Sequence, residues 1–414
     1  MHSFQRRGKE LFCEDKSLTS IAEEYGTPLY VYSHSTVTRH YQVFEEAFAS
    51  IPHIICYAVK ANPTGAILKL LAKMDSGADI VSGGELYRAL RAGIEPSRIV
   101  YSGVGKTEKE MEDALQSDIL MFNIESFTEL AALDEVAGRM GKRARISLRI
   151  NPDIDPGTHP YVATGLRTSK FGIPFEYALE GYDRAAKLPN IDIIGVDCHI
   201  GSQLTELSPF VDAVKKLIEL ITVLRQKDND IQYLDIGGGL GIPYNTENPP
   251  SPAEFADAVK RHLAEANVTL ILEPGRSIVG NAGILLTRVL YTKKGKDRRF
   301  VIVDAGMNDL LRPSLYDAYH EIAHVVDEER DIEVSDIVGP ICESGDFLAK
   351  DRRLPRFDKG DLIAVMSAGA YGASMSSTYN SRPLAAEVLV NGQTARLIRK
   401  RGSCEDLIRG ERVT

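Results

Sequence analysis

Residues 98–129 read RIVYSGVGKTEKEMEDALQSDILMFNIESFTE, and this stretch decides the fold. Arg98–Ser102 is a short β-branched run, and Thr107-Glu-Lys-Glu110 is a capping box opening a helix over Thr107–Gln116. A second apolar run, Ile119–Asn123, follows, and Ser126-Phe-Thr-Glu129 opens the next helix in the same way. Strand, helix, strand, helix at this spacing points to parallel strands joined by crossover helices.

The rhythm extends in both directions. Upstream lie the strand candidates Ile54–Val59 and Ala78–Ser82; downstream lie Ala144–Ile150, Ile193–Ile200, Ile231–Ile236 and Val268–Glu273. Helix-like stretches separate them: Thr64–Met74, Gly84–Ala92, Ser126–Met140, Phe175–Leu188, Pro209–Gln226 and Pro252–Ala266. Ser251-Pro-Ala-Glu254 adds a further helix start with proline at the first position. Eight such units predict a (β/α)8 TIM barrel, with a doubly wound sheet as the structural alternative. After Gly275 the pattern changes to alternating runs such as Phe300–Val303, Leu362–Met366 and Ala386–Val390, separated by Gly-Asp and Asn-Gly turns. The expected organisation is a barrel over 30–276 and a mostly antiparallel β-domain built from 277–414 with the N-terminal 1–29. Pro152–Pro174 is a long insertion after the fifth strand, of the kind that forms a lid or binding loop.

Bulk properties narrow the function. The 414 residues carry 43% hydrophobic and 26% charged side chains, as in an ordinary globular enzyme. A formal charge of -9 argues against nucleic-acid partners, and the basic stretch Lys293–Arg299 reads as a solvated hairpin turn. Five scattered cysteines with no CxxC pair support neither a disulfide framework nor a metal site. No run of 18 apolar residues suggests a membrane span, so a cytoplasmic protein is expected.

The barrel reading requires chemistry at the carboxyl ends of strands. Lys60 follows the first, Asn123 ends the fourth, Asn151 follows the fifth and His199 lies at the end of the sixth; Gly237-Gly-Gly239 follows the seventh and Glu273 ends the eighth. A lysine at the edge of an apolar strand is expected to be desolvated, which favours the neutral, nucleophilic amine used in Schiff-base chemistry. Against it stands a side chain that simply snorkels into solvent. The glycine run suits an anion and fits neither a dinucleotide fingerprint nor a P-loop, although a ligand-free tight turn has the same spelling. Lysine and phosphate nest together suggest pyridoxal 5'-phosphate, with Lys60 forming the internal aldimine and Glu273 against the pyridine nitrogen. Glu273 also has the spacing of a helix cap or an Arg276 partner, and His199 is either a core histidine or a cover for the cofactor ring. Cys342-Glu343 lies in a Gly/Pro-framed turn beside two acids, where the cysteine is either a buried structural thiol or, better suited to this setting, a proton-transfer group. Gly369-Ala-Tyr-Gly372 frames Tyr371 either as a simple turn or as a phenol aimed at a ligand.

These motifs resemble those of the diaminopimelate decarboxylases, pyridoxal-phosphate enzymes that join an alanine-racemase-like barrel to a β-domain. The matching segments are Tyr57–Asn62, Lys170-Phe-Gly-Ile173, His199–Gln203, Gly237–Gly241, Glu273-Pro-Gly-Arg276, Cys342–Asp346 and Gly369–Gly372. The resemblance implies that Lys60 carries the cofactor, His199 stacks on its ring, and Ser202, Gly238, Gly239, Gly275 and Arg276 hold it near the phosphate. It makes Arg276, Arg312 and Tyr316 contacts for the substrate carboxylate and distal end, Glu343 the partner of the distal ammonium, and Tyr371 a ligand to cofactor and substrate. Cys342 resembles the acid that protonates Cα once carbon dioxide has left. The implied reaction converts meso-2,6-diaminopimelate to L-lysine and carbon dioxide, the last step of lysine biosynthesis, in a homodimer with shared active sites and no metal. The rival on this scaffold is an ornithine, arginine or carboxynorspermidine decarboxylase, against which Glu343 after the cysteine argues. Glu273 argues against a racemase, and the presence of Lys60 and Cys342 against a non-catalytic relative.

Overall fold

A computed structural model describes residues 2–154, 169–263, 266–296 and 298–412. The chain divides into two compact units, one of Tyr41–Ile242 with Asn248–Ser277 and one of Met1–His40, Pro243–Glu247 and Ile278–Thr414.

The first unit is the expected barrel. Its strands are His53–Ala58, Gly77–Ile80, Ile99–Tyr101, Met121–Ile124, Ala144–Asn151, Ile191–Asp197, Tyr233–Asp235 and Thr269–Leu272. All pair in parallel with their sequence neighbours, and Thr269–Leu272 closes on the first strand with Ile271 opposite Ile54. Closure removes the free edges that a doubly wound sheet would keep.

The helix starts follow local chemistry with one exception. Thr107 and Ser251 form reciprocal boxes with Glu110 and Glu254. Ser126 caps Glu129 N–H, but the Glu129 carboxylate does not return to Ser126. It accepts from Glu125 N–H at 2.9 Å and pairs with Lys106 at 2.7 Å, because a buried ammonium competes better for it than a cap amide does. The helix expected over Phe175–Leu188 is shorter, Ala178–Ala185, preceded by a 3-10 turn. Of the 152–174 insertion, residues 155–168 lie outside the described residues; Ile173–Pro174 returns as a short strand beside the fifth.

Strand alternation fills the barrel in two layers. Low in the barrel, Cys56, Val100, Met121 and Ile271 pack together with Ile54, Ile194 and Tyr233. One step toward the carboxyl ends, the same faces present Asp79, Ser102, Asn123, Ser147, Asp197, Asp235 and Glu273, all buried. An apolar plug therefore carries a polar layer, and the polar layer floors the rim.

The second unit holds a seven-strand path in the order Phe347–Pro355, Ile332–Val338, Arg299–Val303, Gly283–Lys294, Leu29–Ser33, Ala386–Asn391 and Thr394–Arg399. Leu362–Val365 branches from its long central strand, and Ile322–His324 pairs with Leu362–Val365. Most pairs are antiparallel; Arg299–Val303 with Ile332–Val338, and Leu29–Ser33 with Ala386–Asn391, are parallel. The boundary expected at residue 30 falls inside Leu29–Ser33, a fully buried strand of this sheet, so the chain contacts carry this unit on to His40. Leu29, Val31, Ile284, Leu286, Ala364 and Val388 form its core. The basic stretch spans the Lys294-to-Arg299 hairpin connection, where Arg298 pairs with Asp336 and Asp351.

Candidate active site

Lys60 lies in a 3-10 turn, Val59–Ala61, directly after the first barrel strand. Its surroundings differ from the apolar edge expected. Lys60 Nζ meets Asp79 Oδ2 at 2.5 Å, and the Asp79 side chain is fully buried. The amine is therefore held by a carboxylate from the second strand. Glu85, on the helix that follows Asp79, is pushed up to about 7 by burial and by Asp79, against the pull of Lys60.

Glu273 directly follows the eighth strand and is 5% exposed. Burial and then the Asp79 charge push its pKa to about 7, opposed by Lys60 and Arg149. Asp197 and Asp235, at the ends of the sixth and seventh strands, are also raised well above the usual carboxylate range by burial and by Glu273. A hydrogen-bond chain crosses the layer: Ser102 Oγ donates to Glu273 at 3.4 Å, Asn123 Nδ2 to Ser102 at 3.1 Å and to Asp235 at 3.3 Å, and Ser147 Oγ to Asn123 at 2.7 Å. So many acids in one dry layer cannot all ionise.

His199 accepts from Gly238 N–H through Nδ1 at 3.2 Å. Burial, then the charges of Arg149 and Lys60, hold its pKa well below the usual range, so it is a neutral ring. The glycine run packs too closely for side chains: a Cβ on Gly238 would lie 2.2 Å from the Glu273 carbonyl oxygen, and Gly239 (φ +106°) has the Gly201 carbonyl equally near. Gly237 N–H bonds Asp235, and Gly238 N–H is given to His199 instead of pointing outward. Gly275 presses on Ala58 and Ala61, beside Lys60, and Arg276 donates to Ser202 Oγ at 3.1 Å. The eight expected residues of the barrel thus gather at one rim.

The remaining five belong to the second unit. Arg312 and Tyr316 open and close a short helix. Arg312 is buried, with its guanidinium 4.6 Å from the Tyr244 ring centre and 3.1 Å from His320 Nε2. Cys342 and Glu343 are exposed; Cys342 N–H donates to Asn380 at 2.7 Å and Tyr379 O–H to Glu343 at 3.2 Å. Asp346 anchors their loop by accepting from Met307 N–H and Ile341 N–H, both at 2.6 Å. Tyr371 has φ +56°, a left-handed backbone that fixes where its glycine-framed turn points.

A family of pyridoxal-dependent decarboxylases, through its pyridoxal-binding domain, matches residues 34–280. The Aquifex aeolicus diaminopimelate decarboxylase is 54% identical over 403 residues, covering 97% of this chain and 96% of the relative. The chain belongs to the diaminopimelate decarboxylase family. The enzyme of that name from Neisseria meningitidis is 52% identical, with 97% of each chain covered. Among solved structures, the Helicobacter pylori diaminopimelate decarboxylase complexed with L-lysine is 46% identical, with a TM-score of 0.92 over 94% of this chain and 98% of that one. The M. jannaschii enzyme in co-complex with L-lysine is 38% identical, with a TM-score of 0.94 over 100% of this chain and 98% of that one.

The barrel residues fit the pyridoxal phosphate of this family. The donor set offers a primary amine, a dry carboxylate able to hold a proton for a ring nitrogen, a neutral flat imidazole and a glycine-lined anion loop. No described group of His, Cys, Asp or Glu has the arrangement of a metal site. The sequence reading missed Asp79, Asp197 and Asp235, which sit inside apolar runs (Ala-Asp-Ile, Val-Asp-Cys, Leu-Asp-Ile) and were absorbed into strands. Their signal was a carboxylate inside a buried run, repeated three times.

Proposed function

We propose that this chain decarboxylates meso-2,6-diaminopimelate to L-lysine, using pyridoxal phosphate held by Lys60. The observation that carries the reading is Glu273, a dry carboxylate with pKa about 7 in the same layer as the Asp79 that holds Lys60. When bound, the cofactor supplies a protonated pyridine ring that accepts the electron pair left at the substrate Cα as carbon dioxide departs.

The residues of this chain do the rest. Lys60 provides the amine that holds the cofactor and yields to the substrate amine, while Asp79 offers a proton acceptor for that exchange. Glu273 keeps a proton on the ring nitrogen. His199, neutral, covers one ring face without adding a competing charge. Ser202, Gly238, Gly239, Gly275 and Arg276 serve the cofactor phosphate, with Gly238 acting through His199. Arg276, Arg312 and Tyr316 receive substrate carboxylate and the distal end, Glu343 pairs with the distal ammonium, and Tyr371 contacts cofactor and substrate. Cys342 donates the proton that Cα gains. The reaction belongs in the cytoplasm and in a homodimer whose partner supplies Cys342 and Glu343 to the shared site. The same reading makes the barrel unit, Tyr41–Ile242 with Asn248–Ser277, the cofactor domain and the remainder the substrate-completing β-domain.

The test is carbon dioxide release by the purified protein with pyridoxal phosphate, comparing meso-diaminopimelate with ornithine and arginine. Preference for diaminopimelate supports the assignment; faster ornithine or arginine turnover overturns it.

A further inference from the structure

Lys170-Phe-Gly-Ile173, where the insertion rejoins the barrel, has no role in the reading above. Its contacts converge on one side chain. Glu125 follows the fourth strand, and its carboxylate is almost wholly buried. One oxygen accepts from Arg149 Nη1 at 2.8 Å and from Gly103 N–H at 2.9 Å; the other accepts from Gly172 N–H at 2.8 Å. The Phe171 ring lies 4.9 Å from the Arg149 guanidinium. Gly172 has φ +73°, and a Cβ there would sit 3.2 Å from the Arg149 carbonyl oxygen. Ile173 then pairs with Ile150, next to Arg149.

Glu125 is itself fixed. Its N–H donates to Glu129, which holds Lys106, and Lys106 also donates to the carbonyls of Gly103 and Asn123 at 2.9 and 2.8 Å. The loop after the third strand, the end of the fourth, the fifth strand and the returning segment therefore meet at one carboxylate. Arg149, which this carboxylate aims, is the cation whose charge acts on Asp197, Glu273 and His199.

We propose that Glu125 is a positioning residue: it aims Arg149 as the fixed cation of the acidic layer, and fastens the Lys170–Ile173 segment over that cation. A surface staple would hold the loop alone. Here the same oxygen that takes the Gly103 amide also takes Arg149, so loop anchoring and the charge balance around Glu273 are coupled. The inference rests on the reading that Lys60, His199 and Glu273 hold the cofactor.

A double-mutant cycle on the cofactor-loaded protein tests it, with Glu125→Gln and Arg149→Gln alone and combined. Pyridoxal phosphate release is followed by loss of its bound visible absorbance. Glu125→Gln alone should speed release by about tenfold, and by less than about threefold when Arg149 is already Gln. Hydrogen exchange should rise in the segments holding Gly103 and Gly172 and not in the Ser251–Glu254 helix start. Phe171→Leu keeps every charge and should speed release in the same direction; it carries the test if Glu125→Gln does not fold. Equal effects of Glu125→Gln in both Arg149 backgrounds, or unchanged release in Phe171→Leu, overturn the proposal. If the wild-type protein binds no pyridoxal phosphate, the cofactor reading fails instead, so the two failures are distinct.

Discussion

Replacing Glu273 with Gln should stabilise the cofactor-stripped protein at alkaline pH while removing most of its activity. The folded protein holds Glu273 at about 7 against an ordinary 4.5, first through burial and then through Asp79. A carboxylate raised in the folded state favours folding below its unfolded pKa, and that contribution is lost as pH rises through the folded value. The Glu273 contribution to wild-type stability must therefore fall from about pH 4.5 to above pH 7, and the Gln variant, which keeps Asp197, Asp235 and Glu85 but not this group, must lack that fall. With these two values the stability gap between variant and wild type widens by about 2 kcal/mol between pH 5.5 and 8.5. Gln preserves the shape, can accept from Ser102 and can donate toward Asp235, so no cavity opens. The assay is urea unfolding of both stripped proteins at the two pH values, followed by circular dichroism. Activity with pyridoxal phosphate restored should fall by about 100-fold or more, because a neutral amide cannot keep the ring nitrogen protonated. A gap that stays constant or shrinks as pH rises would refute the reasoning.

Four other substitutions have expected outcomes. Gly238→Ala puts a methyl 2.2 Å from the Glu273 carbonyl oxygen, so it should destabilise the barrel by about 3 kcal/mol and weaken pyridoxal phosphate binding, read by thermal unfolding and cofactor titration. At the barrel base, Glu45 raises His53, which is half-buried, while Glu45 is itself lowered. Their attraction is complete between the two ordinary values, near pH 5.5, and is lost as pH rises through the folded histidine's value; His53→Gln should forfeit about 0.5 kcal/mol near pH 5.5 and nothing of this pair at pH 9, measured by urea midpoints. Cys342→Ala should slow product formation by about 100-fold with pyridoxal phosphate absorbance unchanged, whereas Glu343→Gln should mainly raise KM for diaminopimelate, as steady-state kinetics will report.

The barrel was legible because its strands are short β-branched runs and its helices announce their starts: Thr107 and Ser251 spell complete capping boxes and form them. The placement of Lys60, His199 and Glu273 was legible because each lies just beyond a strand's carboxyl end, on the face where barrels place chemistry. Asp79 was not, since an acid two residues from a glycine in Gly77–Ile80 reads as strand until the pleat and the closing of the barrel turn it toward Lys60. Glu129 shows the same limit at a helix start: its spelling demands a capping box, and a lysine twenty-three residues away in sequence claims the carboxylate. The Glu125 junction joins four segments brought together only by closure, so no local pattern announces it. The expected boundary at residue 30 cuts through Leu29–Ser33, because pairing partners nearly whole-chain distances away decide its sheet.

In the proposed function, Lys60, Glu273 and the residues of the β-domain together remove one carboxylate from diaminopimelate. Incubation with pyridoxal phosphate and the separated diaminopimelate stereoisomers, followed by chiral chromatography of the products, tests it most directly. L-Lysine should form from the meso isomer, and its formation should be abolished in Lys60→Ala. Absence of lysine from every isomer, or racemised diaminopimelate in its place, would contradict it.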